Sequence, residues 1–127
     1  MKTSSLQLLP FTDFGAATGN YDGSSASFSG TAVKAAAYSS SVGDNQTVGI
    51  FTEDFIGTMT IEATLDTTIT DSSWFTVHTF NGDGSSSNDL AGRFFNTVQN
   101  ITGRYTWMRV TVTSFTQGTI HKVTLSY

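Results

Sequence analysis

Between Gly57 and Phe80 the chain reads as a long strand, a polar turn and a second strand, and its first part alternates apolar and polar positions with a period of two. Met59, Ile61, Ala63 and Leu65 fall on one side, and Thr58, Thr60, Glu62, Thr64 and Asp66 on the other. That spacing predicts a strand with one buried and one wetted face. Residues 66–73 are Thr, Asp and Ser apart from one Ile, types that bond to their own backbone and predict a polar turn. Trp74-Phe75 then opens a second strand that runs to Phe80. The same alternation returns in three other places. Gln46 to Glu53 predicts a strand, with Val48, Ile50 and the following Phe55 as core members. Gly103 to Phe115 predicts a long strand with Met108, Val110 and Val112 on one side and Tyr105, Trp107, Arg109, Thr111 and Thr113 on the other. Thr116-Gln117-Gly118 predicts a tight turn, from which Thr119 to Tyr127 returns with Val123, Leu125 and Tyr127 on one face.

Ser24 to Tyr38 predicts one or two further strands whose many alanines imply close approach by another layer or another chain. Asn81 to Asp89, NGDGSSSND, predicts an exposed loop. Arg93 to Val98 fits a short strand or a turn, and a single helical turn fits near Asp89 to Phe94. Ahead of these, Leu6, Leu8, Leu9 and Phe11 are apolar, but Pro10 stops ladder pairing and Asp13 to Gly23 is rich in small residues. Two readings follow for residues 1–23: a short first strand tucked onto its own domain, or an apolar arm that docks onto a neighbouring subunit. The organisation expected is therefore an arm and irregular segment over 1–23 and a β-domain over 24–127. About eight strands suit an all-β, two-sheet antiparallel sandwich of the jelly-roll type.

Composition sharpens this. Ser, Thr, Gly, Phe and Val are abundant, charged residues make 13%, and Pro10 is the single proline. Thr, Val and aromatics favour pleated, half-buried surfaces, with Gly, Asn, Asp and Ser as punctuation. A chain of 127 residues is long enough to bury roughly two-thirds of its unfolded surface in one domain. Cysteine is absent, so neither a disulfide framework nor thiolate chemistry is available. The net charge is -4, and the six cations Lys2, Lys34, Lys122, Arg93, Arg104 and Arg109 are scattered. This argues against a phosphate-tracking stripe and so against nucleic acid as partner. No apolar run reaches the roughly 20 residues of a helical membrane span, so no membrane partner is expected.

The sequence offers little chemistry. His78 and His121 both fall inside predicted strands, away from any strained Gly-x-Ser-x-Gly turn, and two distant histidines do not make a zinc site. Glu53, Asp54, Glu62 and Asp66 are available as a glycosidase pair, but read more simply as loop and sheet-face charges. No catalytic residue and no cofactor site is expected. Asp83 and Asp89, in the Asn81–Asp89 loop, are weak calcium candidates without the spacing or terminal glutamate of a twelve-residue calcium loop. Trp74, Phe80, Tyr105 and Trp107 read either as sandwich core or as a sugar-stacking platform, and core is the simpler reading.

From about residue 29 onward, four stretches resemble a family of small virion structural proteins of tailed bacteriophages, of marine and cyanobacterial myophage type. They are GTAVKAAAYSSSVGDNQTVGI (Gly30 to Ile50), FIGTMTIEATLDTTITDSSWFTV (Phe55 to Val77), ITGRYTWMRVTVTSF (Ile101 to Phe115) and GTIHKVTLSY (Gly118 to Tyr127). The family pattern comprises a Gly-led strand ending in Leu-Asp, a polar insert with Trp-Phe, a Thr-Gly-aromatic-x-Trp-x-Arg strand and a closing Gly-Thr hairpin. The resemblance implies a non-enzymatic subunit located in the virion, first a capsid decoration protein that binds the assembled shell in many copies. Next come a neck, tail or baseplate component. The implied partners are other virion proteins and copies of the chain itself; separately, the aromatics and the Asp83 and Asp89 candidates leave a host-glycan-binding module as an alternative. The contact residues expected are Leu6, Leu8 and Phe11 on the arm and Tyr105, Trp107 and Arg109 on the sheet.

Overall fold

A computed structural model describes residues 5–39, 43–69, 73–83 and 94–127. The fold is all-β and antiparallel, and the described residues form eight strands in one sheet. Two strands of twenty residues organise it: β5 (Asn45–Thr64) and β8 (Trp107–Ser126). They pair antiparallel along almost their whole length, from Thr47↔Ser126 to Thr64↔Trp107. On the far edge of β8 lie, in turn, β1 (Ser5–Leu9), β2 (Thr12–Asp13), β3 (Phe28–Ser29) and β4 (Val33–Lys34). On the far edge of β5 lie β7 (Phe94–Thr102), against residues 45–53, and β6 (Phe75–Asp83), against residues 56–63.

Neither long strand is straight. A twenty-residue strand extends roughly 66 Å, yet the two ends of β8 meet at one residue. Trp107 is in register with Lys34, and the Tyr127 hydroxyl, just past the other end, donates to the Lys34 carbonyl at 2.9 Å. The sheet has therefore folded over on itself. The fold line is marked by register shifts between Glu53 and Thr58 of β5 and by the left-handed backbone of Asp54 (φ 53°), Ser114 (φ 54°) and Gly118 (φ 96°). β-Bulges bend a strand and raise its twist, and here two of them face each other across one ladder. The sandwich consists of the two halves of one continuous sheet.

Its core lies between those halves. Val48, Ile50, Ile101, Ile120, Val123 and Leu125 come from one half, and Met59, Ile61, Ala63, Met108, Val110 and Val112 from the other, all in a single buried cluster. Phe55 and Phe115 fill the crease, ring centroids 5.6 Å apart. The segment after β2 closes that end: Tyr21 is buried against Phe28 and Phe115, and its hydroxyl accepts a hydrogen bond from the Gly15 amide at 3.0 Å. Beyond it, the Asp22 carboxylate accepts bonds from the Ser25 hydroxyl and the Ser25 and Ser24 amides. These donors hold its pKa down to about 2, led by the Ser25 hydroxyl.

At the open end, Gln46 joins the halves. It is 1% exposed; its amide nitrogen donates to Ile101 O at 2.7 Å and Gly103 O at 3.1 Å, and its Oε1 accepts from the Ala36 amide at 3.3 Å. Ala35 and Ala36 are buried there, and a Cβ on Gly43 would run into the Ala36 carbonyl. The alanines thus mark a close approach within the chain.

Several expectations change. Of the two readings for residues 1–23, the structure has the first strand tucked onto its own domain: β1 and β2 pair with β8, and Leu8, Leu9 and Tyr21 belong to the core. Thr116-Gln117-Gly118 is no hairpin turn: the segments on either side both pair with β5 instead of each other. For the same reason the predicted strands 46–53 and 57–65 are one. The strand expected to run to Tyr38 gives way to a helical turn, α1 (Ala36–Ser39). Leu65 is 62% exposed, because β5 ends at Thr64 and the alternation ends with it. Phe94 opens β7, and the rest of the helical turn expected near it lies outside the described residues.

Candidate functional site

The outer face of the second half-sheet, residues 56–64 of β5 with β6 and residues 107–113 of β8, carries the most organised set of polar and aromatic side chains. Alternation sends Met108, Val110 and Val112 inward and leaves Trp107, Arg109, Thr111 and Thr113 outward. In register, Arg109 lies opposite Glu62, and Trp107 lies between Lys34 and Thr64. The Arg109 Nε donates to Glu62 Oε1 at 2.8 Å, and the Thr111 hydroxyl donates to the same oxygen at 2.7 Å. Ser29 of β3 extends the row, its hydroxyl 2.9 Å from that of Thr111. Both members of the ion pair are about three-quarters buried. Opposite charges directly across a ladder contribute roughly 0.2–1 kcal/mol, so this pair fixes orientation more than it stabilises the fold.

Aromatic rings flank the pair. The Arg109 guanidinium carbon lies 4.4 Å from the centre of the Trp74 ring, a distance at which the ring's negative face attracts the cation. On the other side, Trp107 and Tyr38 meet edge to face with centroids 5.1 Å apart, and the Lys34 ammonium sits 4.5 Å from the Tyr38 centroid. The Trp107 indole donates to the Thr67 carbonyl at 3.2 Å, which ties the 65–69 loop back over the sheet. The result is a strip, Tyr38–Trp107–Arg109–Trp74, with cations interleaved among rings and Glu62 beneath.

The predicted contact residues fare differently. Trp107 and Arg109 share this face, as their spacing implied. Tyr105 does not join them: it precedes β8 and packs on the core, its ring 5.8 Å from that of Phe75. Leu8 is 1% exposed and serves the core, so it offers nothing to a neighbour. Leu6 is partly buried against the same core. Phe11 is exposed and meets His121 edge to face at 5.5 Å. Trp74, more simply read as core, is half-buried and its neighbour Phe75 is exposed, while Phe80 packs on Phe55 at 6.2 Å.

His121 Nε2 lies 3.1 Å from Glu53 Oε1, and His78 is on β6 opposite Ile61. Glu53 and Glu62 are thus each engaged by a basic side chain, on opposite sides of the fold line. Among the described residues, no three His, Asp or Glu side chains gather as a metal site requires. Asp83 closes β6 opposite Ile56, and Asp89 lies outside the described residues. A cleft of about 210 Å³ opens between β1 and β3, lined by Leu8, Leu9, Pro10, Asn20, Phe28 and Gly30. It is smaller than the roughly 300–1,000 Å³ of small-molecule sites.

Sequence reasoning grouped Trp74 with Trp107 only as the alternative to a core role, and it missed Glu62, Lys34 and Tyr38 as members of the strip, because they come from three segments that only the register brings together. Compared with known proteins, the chain matches no family model and no curated protein.

Proposed function

We propose that this protein is a non-enzymatic structural subunit of a tailed-phage virion, in the first place a capsid decoration protein that binds the assembled shell in many copies. The sequence resemblance from residue 29 onward motivates the virion. The observation that carries the binding role is the outer strip: Trp, Tyr and Arg are the side chains that concentrate at the energetic centres of protein interfaces. Here they are held in place by one another, so little rotamer freedom is lost when a partner covers them. Modest contacts suffice for such a subunit, because repetition over a particle multiplies them.

The test is gold-antibody labelling of intact particles. Label over the whole head supports decoration; label confined to one vertex or the tail moves the protein to the neck, tail or baseplate. Absence from purified particles overturns the virion reading. If the strip is the contact, Trp107→Ala and Arg109→Ala each raise the Kd for particles lacking the subunit at least tenfold, the effect of losing about 1.4 kcal/mol.

A second reading is favoured by one specific feature: the Trp107–Tyr38 pair presents aromatic surface of the kind that stacks on sugars. A glycan array separates the two. Sugar binding abolished by Trp107→Ala, and untouched by Tyr105→Ala on the far side of the sheet, would replace shell binding with host-glycan binding.

A further inference from the structure

Sheet edges expose unpaired backbone donors and acceptors, and proteins blunt them with short strands, bulges, prolines or charges. Most edges of this sheet are treated in that way. β2, β3 and β4 are two residues each, β1 carries a register shift, and β6 carries a register shift and ends in Asp83. β7 has none of these devices. Its nine residues, FFNTVQNIT, contain no charge, no proline and no glycine. Its register with β5 runs without a shift from Asn45↔Thr102 to Glu53↔Phe94. Among the described residues it pairs with β5 alone, which leaves an edge roughly 30 Å long. At its middle, opposite the side-chain-free Gly49, Val98 is 64% exposed.

The order of residues says what would pair there. Asn96-Thr97-Val98-Gln99-Asn100 reads nearly the same in both directions about Val98. Laid antiparallel on itself at that centre, it sets valine against valine, Thr97 against Gln99 and Asn96 against Asn100. No like charges meet, and like polarity faces like on both sides of the pleat, as a self-complementary two-fold interface requires. We propose that β7 pairs edge to edge with β7 of a second copy, antiparallel and centred on Val98, and so joins two sandwiches through one continuous sheet. The pairing stands independently of the virion reading.

The register makes the test sharp. Residues directly opposite in an antiparallel pair have Cα atoms roughly 4.5–5.5 Å apart, inside the range a disulfide spans. Two residues away from the centre, Asn100 and its own symmetry mate are separated by four residues along the strand, roughly 13 Å, beyond disulfide reach. The chain has no cysteine, so each variant carries a single thiol. On mild oxidation Val98→Cys gives a covalent dimer, and Asn100→Cys does not. In light scattering the native chain has twice its 13.6 kDa mass, and Val98→Lys, which sets two ammonium groups face to face, runs as a monomer with unchanged circular dichroism. A native chain that is monomeric at its highest soluble concentration overturns the proposal. So does equal cross-linking at positions 98 and 100, whatever the lysine variant does to folding.

Discussion

Gly118→Ala should be among the most damaging single-methyl changes in this protein, costing about 2–6 kcal/mol. Gly118 has φ +96°, outside the range of ordinary L-residues, and holding an alanine there costs roughly 1–3 kcal/mol. Space makes matters worse. A Cβ at 118 would overlap the Asp54 carbonyl and lie 2.6 Å from Phe55 Cα, and both are backbone of the facing bulge. Rigid neighbours of that kind cannot swing aside, so the fold line itself must open, at a further cost of roughly 1–3 kcal/mol. Gly15→Ala isolates the first term, since Gly15 has φ +91° but nothing within 4 Å of its added methyl. Urea denaturation of the two variants gives the comparison. If Gly118→Ala is no more destabilised than Gly15→Ala, the two bulges are not locked together as described.

Gln46→Leu should cost about 2–4 kcal/mol although leucine fills nearly the same volume. The change leaves a side chain that can neither donate to Ile101 O and Gly103 O nor accept from the Ala36 amide. Buried polar groups stripped of a partner cost roughly 1–3 kcal/mol each, and only some will be rehydrated at this end of the sandwich. Because volume is kept, the loss measures hydrogen bonding and not a cavity. Thermal unfolding of the variant reads it directly; a Tm equal to that of the native chain would show that Gln46 is a passenger.

These two residues also show how far the sequence could be read. Alternation alone identified the strands around Met59–Ala63 and Met108–Val112 and the face each buries, because a one-residue slip would turn every side chain over. It also placed Trp107 and Arg109 on one outer face. What it could not separate was a bend from a turn. Asp54 to Gly57 breaks the alternation by setting Phe55 and Ile56 side by side between Asp54 and Gly57, and Thr116 to Gly118 breaks it with small or polar residues; a hairpin turn interrupts the pattern in the same ways. The difference lies in partners: segments that pair with each other make a hairpin, and segments that both pair with a third strand make a bulge. That third strand is some 60 residues away for Gly118, so no local signal encodes it. Gln46 was hidden for a similar reason, since a glutamine at the head of a strand reads as surface until the Ile101–Gly103 carbonyls are brought over it. The outer strip had a partial clue, an isolated Glu62 and an isolated Arg109 at outward positions of two strands. Opposite charges so placed suggest a cross-strand pair once the register is known, and Trp74, Lys34 and Tyr38 carried no such mark.

The fold line has a further consequence for how the chain can vary. β6 stops opposite Ile56 and β7 starts opposite Glu53, and both run in the same direction along β5. Together they trace the path of a single bent strand, interrupted where the sheet creases. The connection between Asp83 and Phe94 therefore leaves and rejoins one edge at points only three β5 residues apart, roughly 10 Å. Doubling the length of such a connection adds only about 0.6 kcal/mol of closure entropy. Insertions after Asp83 should shift the urea midpoint little, whereas the same peptide placed within the crease of β8 should prevent folding. The crease thus supplies a port at which sequence can be exchanged while both half-sheets and their shared core stay as they are.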